Sequence, residues 1–337
     1  MGMLFARYLN MGKLILELEE NLRETCITMP YRSLLSLIVC LFLGISSHVQ
    51  ASLDPNSKIT TASLSADTSK IQLGAVKAAV MDLDSGEVLY SKYADWVTPI
   101  ASITKVMTAM VVLDSEQSLD EMVVIAKPDY ETRKNAYSRM RIGSKLKRSD
   151  LVRLSLMASE NLAAYTLSAS YPGGVSAFVE QMNKKADELG MTKTQFADAS
   201  GLSINNVSTA DDLLKMIKTA AEYEKIREYS TTPRYTARFK GPRYSLNYGN
   251  TNRLVHRNSW NIGLSKTGYL TEAGRCLVLL SEFEGRPVAM VLLDAFGKIT
   301  PLGDAQRVKR WLTTGDSGRI AGAALRYQQS KSKEYPY

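Results

Sequence analysis

Apolar residues follow different spacings in successive parts of the chain, and those spacings predict its elements. "AVKAAVMDLDSGEVLYSKY" (75–93) carries two apolar, β-compatible runs around Asp84-Ser85-Gly86, which predicts a hairpin. Directly after it, in "PIASITKVMTAMVVL" (99–113), Ile103, Val106, Met107, Met110 and Leu113 recur at helical spacing and are expected to face the core. From Ser149 to about Tyr229 the pattern is helical, clearest in "SDLVRLSLMA", "GVSAFVEQMNKKADELG" and "STADDLLKMIKTAAEY", the first and third opening on Ser-type caps. Strand-like composition returns in "NSWNIGLSKTGY" and "RCLVLLSEFEGRPVAMVLLDAF", where Glu284-Gly285 predicts a second hairpin turn. "GDAQRVKRWL" predicts a last helix. Strands therefore come from both ends of the chain and helices from its middle. The economical assembly is an α/β fold, one antiparallel sheet built from both chain ends with an inserted all-helical lobe and a cleft where the two meet.

Near the N-terminus, "LLSLIVCLFLGI" (34–45) is an apolar run short for a bilayer span, and "HVQA" ending at Ala51 places small residues where an export signal is cut. Glu17, Glu19, Glu20 and Glu24 do not suit the basic start of such a signal, whereas Met29-Pro30-Tyr31-Arg32 does. Residues 1–28 are therefore expected to be a mis-assigned leader, 29–51 a signal peptide cleaved after Ala51, and the mature protein periplasmic. The alternative is a membrane-anchored protein with a cytoplasmic leader. Residues 52–72, polar and Ser/Thr-rich, predict a linker, 73–314 the folded domain, and 315–337 a polar tail. That tail is too short for a further domain and lacks a sustained apolar face, so no stable membrane anchor is expected there.

With 45% hydrophobic and 23% charged residues the chain has a globular balance. Its net charge of +8 is not gathered into a basic run, which argues against a nucleic-acid partner and fits loose attraction to anionic polymers. Of three cysteines only Cys276 lies beyond the signal segment, so no disulfide can form within the mature chain. The two histidines, His48 and His256, exclude a multi-histidine zinc site once the signal is removed; neither metal nor cofactor is expected.

Three short motifs carry candidate chemistry. Ser102 and Lys105 stand three apart at a helix start, where a serine can simply cap and a lysine be solvated. That plain account covers most Ser-x-x-Lys tetrads; the other reading is a nucleophile-base pair, provided burial and a second cation lower the lysine pKa. Ser159-Glu160-Asn161 sits between helical segments, and Ser159 can be a plain N-cap. Lys266-Thr267-Gly268 ends an apolar strand, where the lysine can be merely exposed. His256, in "RLVHRNSW", has no Gly-x-Ser-x-Gly partner motif and reads as a surface residue.

Taken together, Ser-x-x-Lys, Ser-x-Asn and Lys-Thr-Gly in this order are the signature of penicillin-binding proteins and class A β-lactamases. From about Ala75 to Leu312, including "SGLSINNVSTADDL" and "SKTGYLTEAGRCLVL", the chain resembles the low-molecular-mass serine D-alanyl-D-alanine peptidases, and within them the endopeptidase subgroup. The resemblance implies the β-lactamase/D,D-peptidase-like fold. It implies Ser102 as nucleophile, Lys105 as general base, Ser159 as proton relay and Asn161 as a hydrogen-bond partner of the substrate amide. It further implies that Lys266 is the second cation and, with Thr267, attracts a substrate carboxylate, and that the Ser102 and Tyr269 N–H groups form an oxyanion hole beside Gly268. Peptidoglycan stem peptides would be the substrate and β-lactam antibiotics covalent inhibitors. The glutamate that deacylates class A β-lactamases has no counterpart in "TKTQFADASGL" (192–202), which disfavours a β-lactamase. A carboxypeptidase, and more distantly a non-catalytic peptidoglycan-binding protein, remain as alternatives.

Overall fold

The computed structural model describes residues 67–128 and 137–333. The expected leader, the signal segment with its cleavage site and most of the linker lie outside the described residues.

Five antiparallel strands form the main sheet: β1 (Ala75–Asp82), β2 (Val88–Lys92), β5 (Asn261–Leu270), β6 (Gly274–Phe283) and β7 (Arg286–Ala295), in the order β2-β1-β7-β6-β5. The sheet thus joins the two chain ends, as the pattern predicts. Both turns form where expected: the Asp82 carboxylate accepts from the Asp84 and Ser85 N–H groups at 3.0 Å, and Glu284 and Gly285 take positive φ between β6 and β7.

The apolar runs of β6 and β7 are continuous because both faces of the sheet are covered. Alternation persists within them: Leu277, Leu279, Met290 and Leu292 face Val308, Trp311 and Leu312 of helix α7 (Thr300–Thr314). Val278, Leu280, Ala289 and Val291 face the opposite core, shared with the helices. These are α1 (Lys105–Asp114), α2 (Arg148–Met157), α3 (Asn161–Ala169), α4 (Gly174–Glu188), α5 (Ala210–Ala220) and α6 (Glu224–Ser230). α1 departs from its expected single core face. Every residue from Lys105 to Val112 is buried, while Leu113 is only half-buried, because the sheet side and neighbouring helices enclose it all round.

Three further departures lie outside the expected elements. β3 (Arg234–Phe239) and β4 (Tyr244–Gly249) form a hairpin between the helical lobe and β5 that the sequence analysis does not contain. The packed structure begins before position 73: Ile71 is buried and the Gln72 N–H donates to Ser317 Oγ at 2.8 Å. It also continues past 314, since α8 (Gly322–Ser332) lies within the expected polar tail, with Ala324 buried and Tyr327 donating to Asp294 at 2.6 Å.

The first strand is fastened at its start by α7. Asp304, fully buried, accepts the Gly74 and Ala75 N–H groups at 2.9 and 2.8 Å. Asp304→Ala leaves both amides buried without an acceptor and is expected to lower stability by about 2–4 kcal/mol, read by urea unfolding.

Candidate active site

The chain after β2 enters α1 through a 3-10 turn, Ala101–Thr104. Ala101 has φ +48°, and the turn is tied to the facing loop by Ile100 N–H donating to Asn206 O at 3.0 Å and Asn206 Nδ2 donating to Thr104 Oγ1 at 3.0 Å. Ser102 is thereby set at the floor of a cleft of about 680 Å³, with Lys105 one turn on. Lys105 Nζ donates to Ser102 Oγ at 2.9 Å, to Asn161 Oδ1 at 2.7 Å and to the Ser200 carbonyl.

Ser159 is not the helix cap. Glu160 caps α3, accepting from Leu162 N–H, and Ser159 sits just before it with φ +58°. That geometry presents its hydroxyl to Lys266, whose Nζ donates to Ser159 Oγ at 2.9 Å and to Thr267 O at 2.7 Å. Nor is Lys266 an exposed strand lysine; it is 1% exposed. Thr267, Gly268 and Tyr269 follow along the cleft wall, and Thr267 Oγ1 lies 2.7 Å from Thr251 Oγ1. Gly268 faces the nucleophile turn: a Cβ there would lie 3.2 Å from Ser102 N and 3.1 Å from Ile100 O. The three motifs, separated by more than 150 residues of chain, thus converge on one cleft.

Burial pushes the Lys105 ammonium down to about 7, partly opposed by the charges of Asp198 and Glu160. Lys266 is lowered well below the ordinary lysine value, by burial first and by the Lys105 charge second. Burial and a second cation are the two expected causes of a lowered Lys105 pKa. Burial is the first cause for both lysines, and the repulsion between them further disfavours charging both at once.

Sequence reasoning assigns no role to the loop that closes the floor. The Asp198 carboxylate accepts from Ser200 N–H at 2.6 Å, Ser200 Oγ at 2.9 Å, Gly201 N–H at 2.6 Å and Ser203 N–H at 2.5 Å. This pins the Ser200 carbonyl against Lys105 and Gly201 against the Ala101 carbonyl. Glu160 is likewise new; burial raises its carboxyl above the usual range. Arg253, Arg275 and Lys298 also line the cleft. His256 is exposed and does not line it. Among the described residues no cluster of His, Cys, Asp or Glu is arranged to hold a metal.

Residues 61–297 match the family model of peptidase S11, described as D-alanyl-D-alanine carboxypeptidase. The chain belongs to peptidase family S11. Among S11 relatives it is 45% identical over 303 residues to a D-alanyl-D-alanine endopeptidase of Pseudomonas aeruginosa, covering 90% of this chain and 96% of that one. It is 44% identical over 275 residues to a D-alanyl-D-alanine endopeptidase of Escherichia coli, covering 82% and 88%. A solved Streptomyces K15 DD-transpeptidase superposes with a TM-score of 0.65 at 30% identity, covering 77% of this chain and 99% of the other. Penicillin-binding protein D2 of Listeria monocytogenes, in its cefotaxime-bound form, gives 0.63 at 31%, covering 72% and 99%. The expected β-lactamase/D,D-peptidase-like fold and serine-peptidase class therefore stand for this S11 chain.

Proposed function

We propose that the protein is a periplasmic serine D,D-peptidase that cleaves D-alanyl crosslinks between peptidoglycan stem peptides and is acylated by β-lactams. The single observation that carries the reading is the 2.9 Å contact from a fully buried Lys105 amine to Ser102 Oγ. In the amine form Lys105 takes the Ser102 proton as Oγ attacks the D-alanyl carbonyl carbon. The resulting oxyanion is held by the Ser102 and Tyr269 N–H groups. Collapse breaks the C–N bond, and the proton taken by Lys105 is returned to the leaving amine by way of Ser159, which bridges to Lys266, so that Lys105 is again a free amine. Water, deprotonated by Lys105, then attacks the ester and frees Ser102. Asn161 holds Lys105 and is available to the substrate amide. A substrate carboxylate at Lys266 and Thr267 would favour the proton on Lys266 and so leave Lys105 as the free base.

Slow ester hydrolysis is supported by the Asp198 loop. Asp198, the acid of that segment, accepts four hydrogen bonds that hold the loop and does not line the cleft where the ester forms. A penicillin adduct on Ser102 should therefore be long-lived, as followed by intact mass; turnover within seconds would make the protein a β-lactamase. Crosslinked muropeptide dimers and monomeric pentapeptides, digested side by side, test the choice of bond. Efficient trimming of pentapeptides with dimers left whole would replace endopeptidase by carboxypeptidase.

Because the reactive form is the amine and its pKa lies at about 7, acylation is expected to rise with pH through about 7 and level off above it. At an ordinary lysine pKa only roughly one amine in three thousand would be free at neutral pH. A profile rising only above pH 9 would show that burial does not tune Lys105.

A further inference from the structure

Among the described residues, three cations, Arg253, Arg275 and Lys298, line the cleft and no Asp or Glu does; none of the three is ion-paired to a described residue. Two of them stand on one side of the nucleophile. Along β5, Lys266 meets Ser159, Gly268 abuts Ser102 N, and Tyr269 comes next. Arg275 pairs with Tyr269 across the β5–β6 ladder, and its Cζ lies 3.6 Å from the centre of the Tyr269 ring. This half-buried guanidinium is held by stacking alone, leaving its N–H donors for a ligand. Lys298, exposed on the loop between β7 and α7, also lines the cleft, and its loop leaves β7 at Ala295, the strand partner of Arg275.

We infer that Arg275, assisted by Lys298, is a specificity-determining site for a free carboxylate on the acyl half of the substrate peptide. The inference rests on the peptidase reading above. If Ser159 passes a proton to the leaving amine, the leaving half lies toward Ser159 and Lys266. The acyl half then lies beyond Ser102, against Tyr269 and Arg275. A planar guanidinium fixed on a ring face matches a carboxylate with two parallel N–H donors and discriminates against the amide, which presents one acceptor and an opposing N–H₂. Arg253, beside Thr251 on the other side, is outside this site.

Two synthetic crosslinked peptide dimers, differing only in whether the acyl-half carboxylate nearest the scissile D-alanyl residue is free or amidated, test it. The wild-type protein should favour the free acid by roughly tenfold in kcat/KM, chiefly through KM. Arg275→Gln should bring that ratio close to one, Arg275→Lys should keep part of it, and Lys298→Gln should reduce it less. A ratio is read, so a general loss of activity in a variant cancels. Equal kcat/KM for both dimers in the wild type, or an undiminished ratio in Arg275→Gln, overturns the inference. Fluorescent-penicillin labelling of the wild type, absent from Ser102→Ala, separates the two levels: without labelling the peptidase reading itself falls, whereas labelling without acid preference sinks only the carboxylate site.

Discussion

Lys105→Ala is expected to slow acylation of Ser102 by about 10²–10⁴-fold, the range for removing a positioned general base. The amine is the only base in contact with Ser102 Oγ among the described residues, and it is held by Asn161 Oδ1 at 2.7 Å and by the Ser200 carbonyl, so nothing nearby replaces it. The substitution also removes a buried amine, which carries its own desolvation cost, so folding stability need not fall with activity. Rate constants for penicillin acylation, measured with unfolding curves for the same variant, decide the matter. Acylation within a few-fold of wild type would remove Lys105 from the mechanism. His256→Ala, by contrast, alters an exposed turn outside the cleft and should leave acylation unchanged.

Gly201→Ala should disable the site from the opposite wall. Gly201 has φ +79°, and a Cβ there would lie 2.0 Å from the Ala101 carbonyl oxygen and 2.9 Å from Ser102 N. All of these neighbours are backbone, so relief requires the nucleophile turn or the Asp198 loop to move. The left-handed conformation adds about 1–3 kcal/mol of strain for a residue with a side chain. A displacement of order 1 Å at Ser102 would cost roughly 10²-fold in rate. Penicillin acylation measured below the variant's melting transition reads the second effect apart from the first. A variant labelled at the wild-type rate would show that this contact does not set the position of Ser102.

The candidate chemistry was legible in unequal measure. Ser102 and Lys105 are joined by local helical spacing, which sequence displays directly. The partnership of Lys266 with Ser159 spans 107 positions and is suggested only by motif order. Asp198 was silent because a loop aspartate is common and its role comes from four donors gathered by the fold. Arg275 was silent for a related reason: only the strand register sets it over Tyr269.

The sequence by itself determined the kind of sheet and where its strands come from, since runs such as "RCLVLLSEF" and the turns at Asp84 and Glu284 depend on neighbours a few residues apart. It determined the helical middle for the same reason. The hairpin at 234–249 was legible too, since Tyr235, Ala237 and Phe239, with Tyr244, Leu246 and Tyr248, alternate onto the core, whereas tertiary structure alone decided the helix at 322–332, whose residues are mostly exposed. It decided that α1 is enclosed on all sides, and with that the state of Lys105. A lysine amine is a base near pH 7 only where water is excluded, and exclusion of water is a property of packed neighbours rather than of the residue or its spacing.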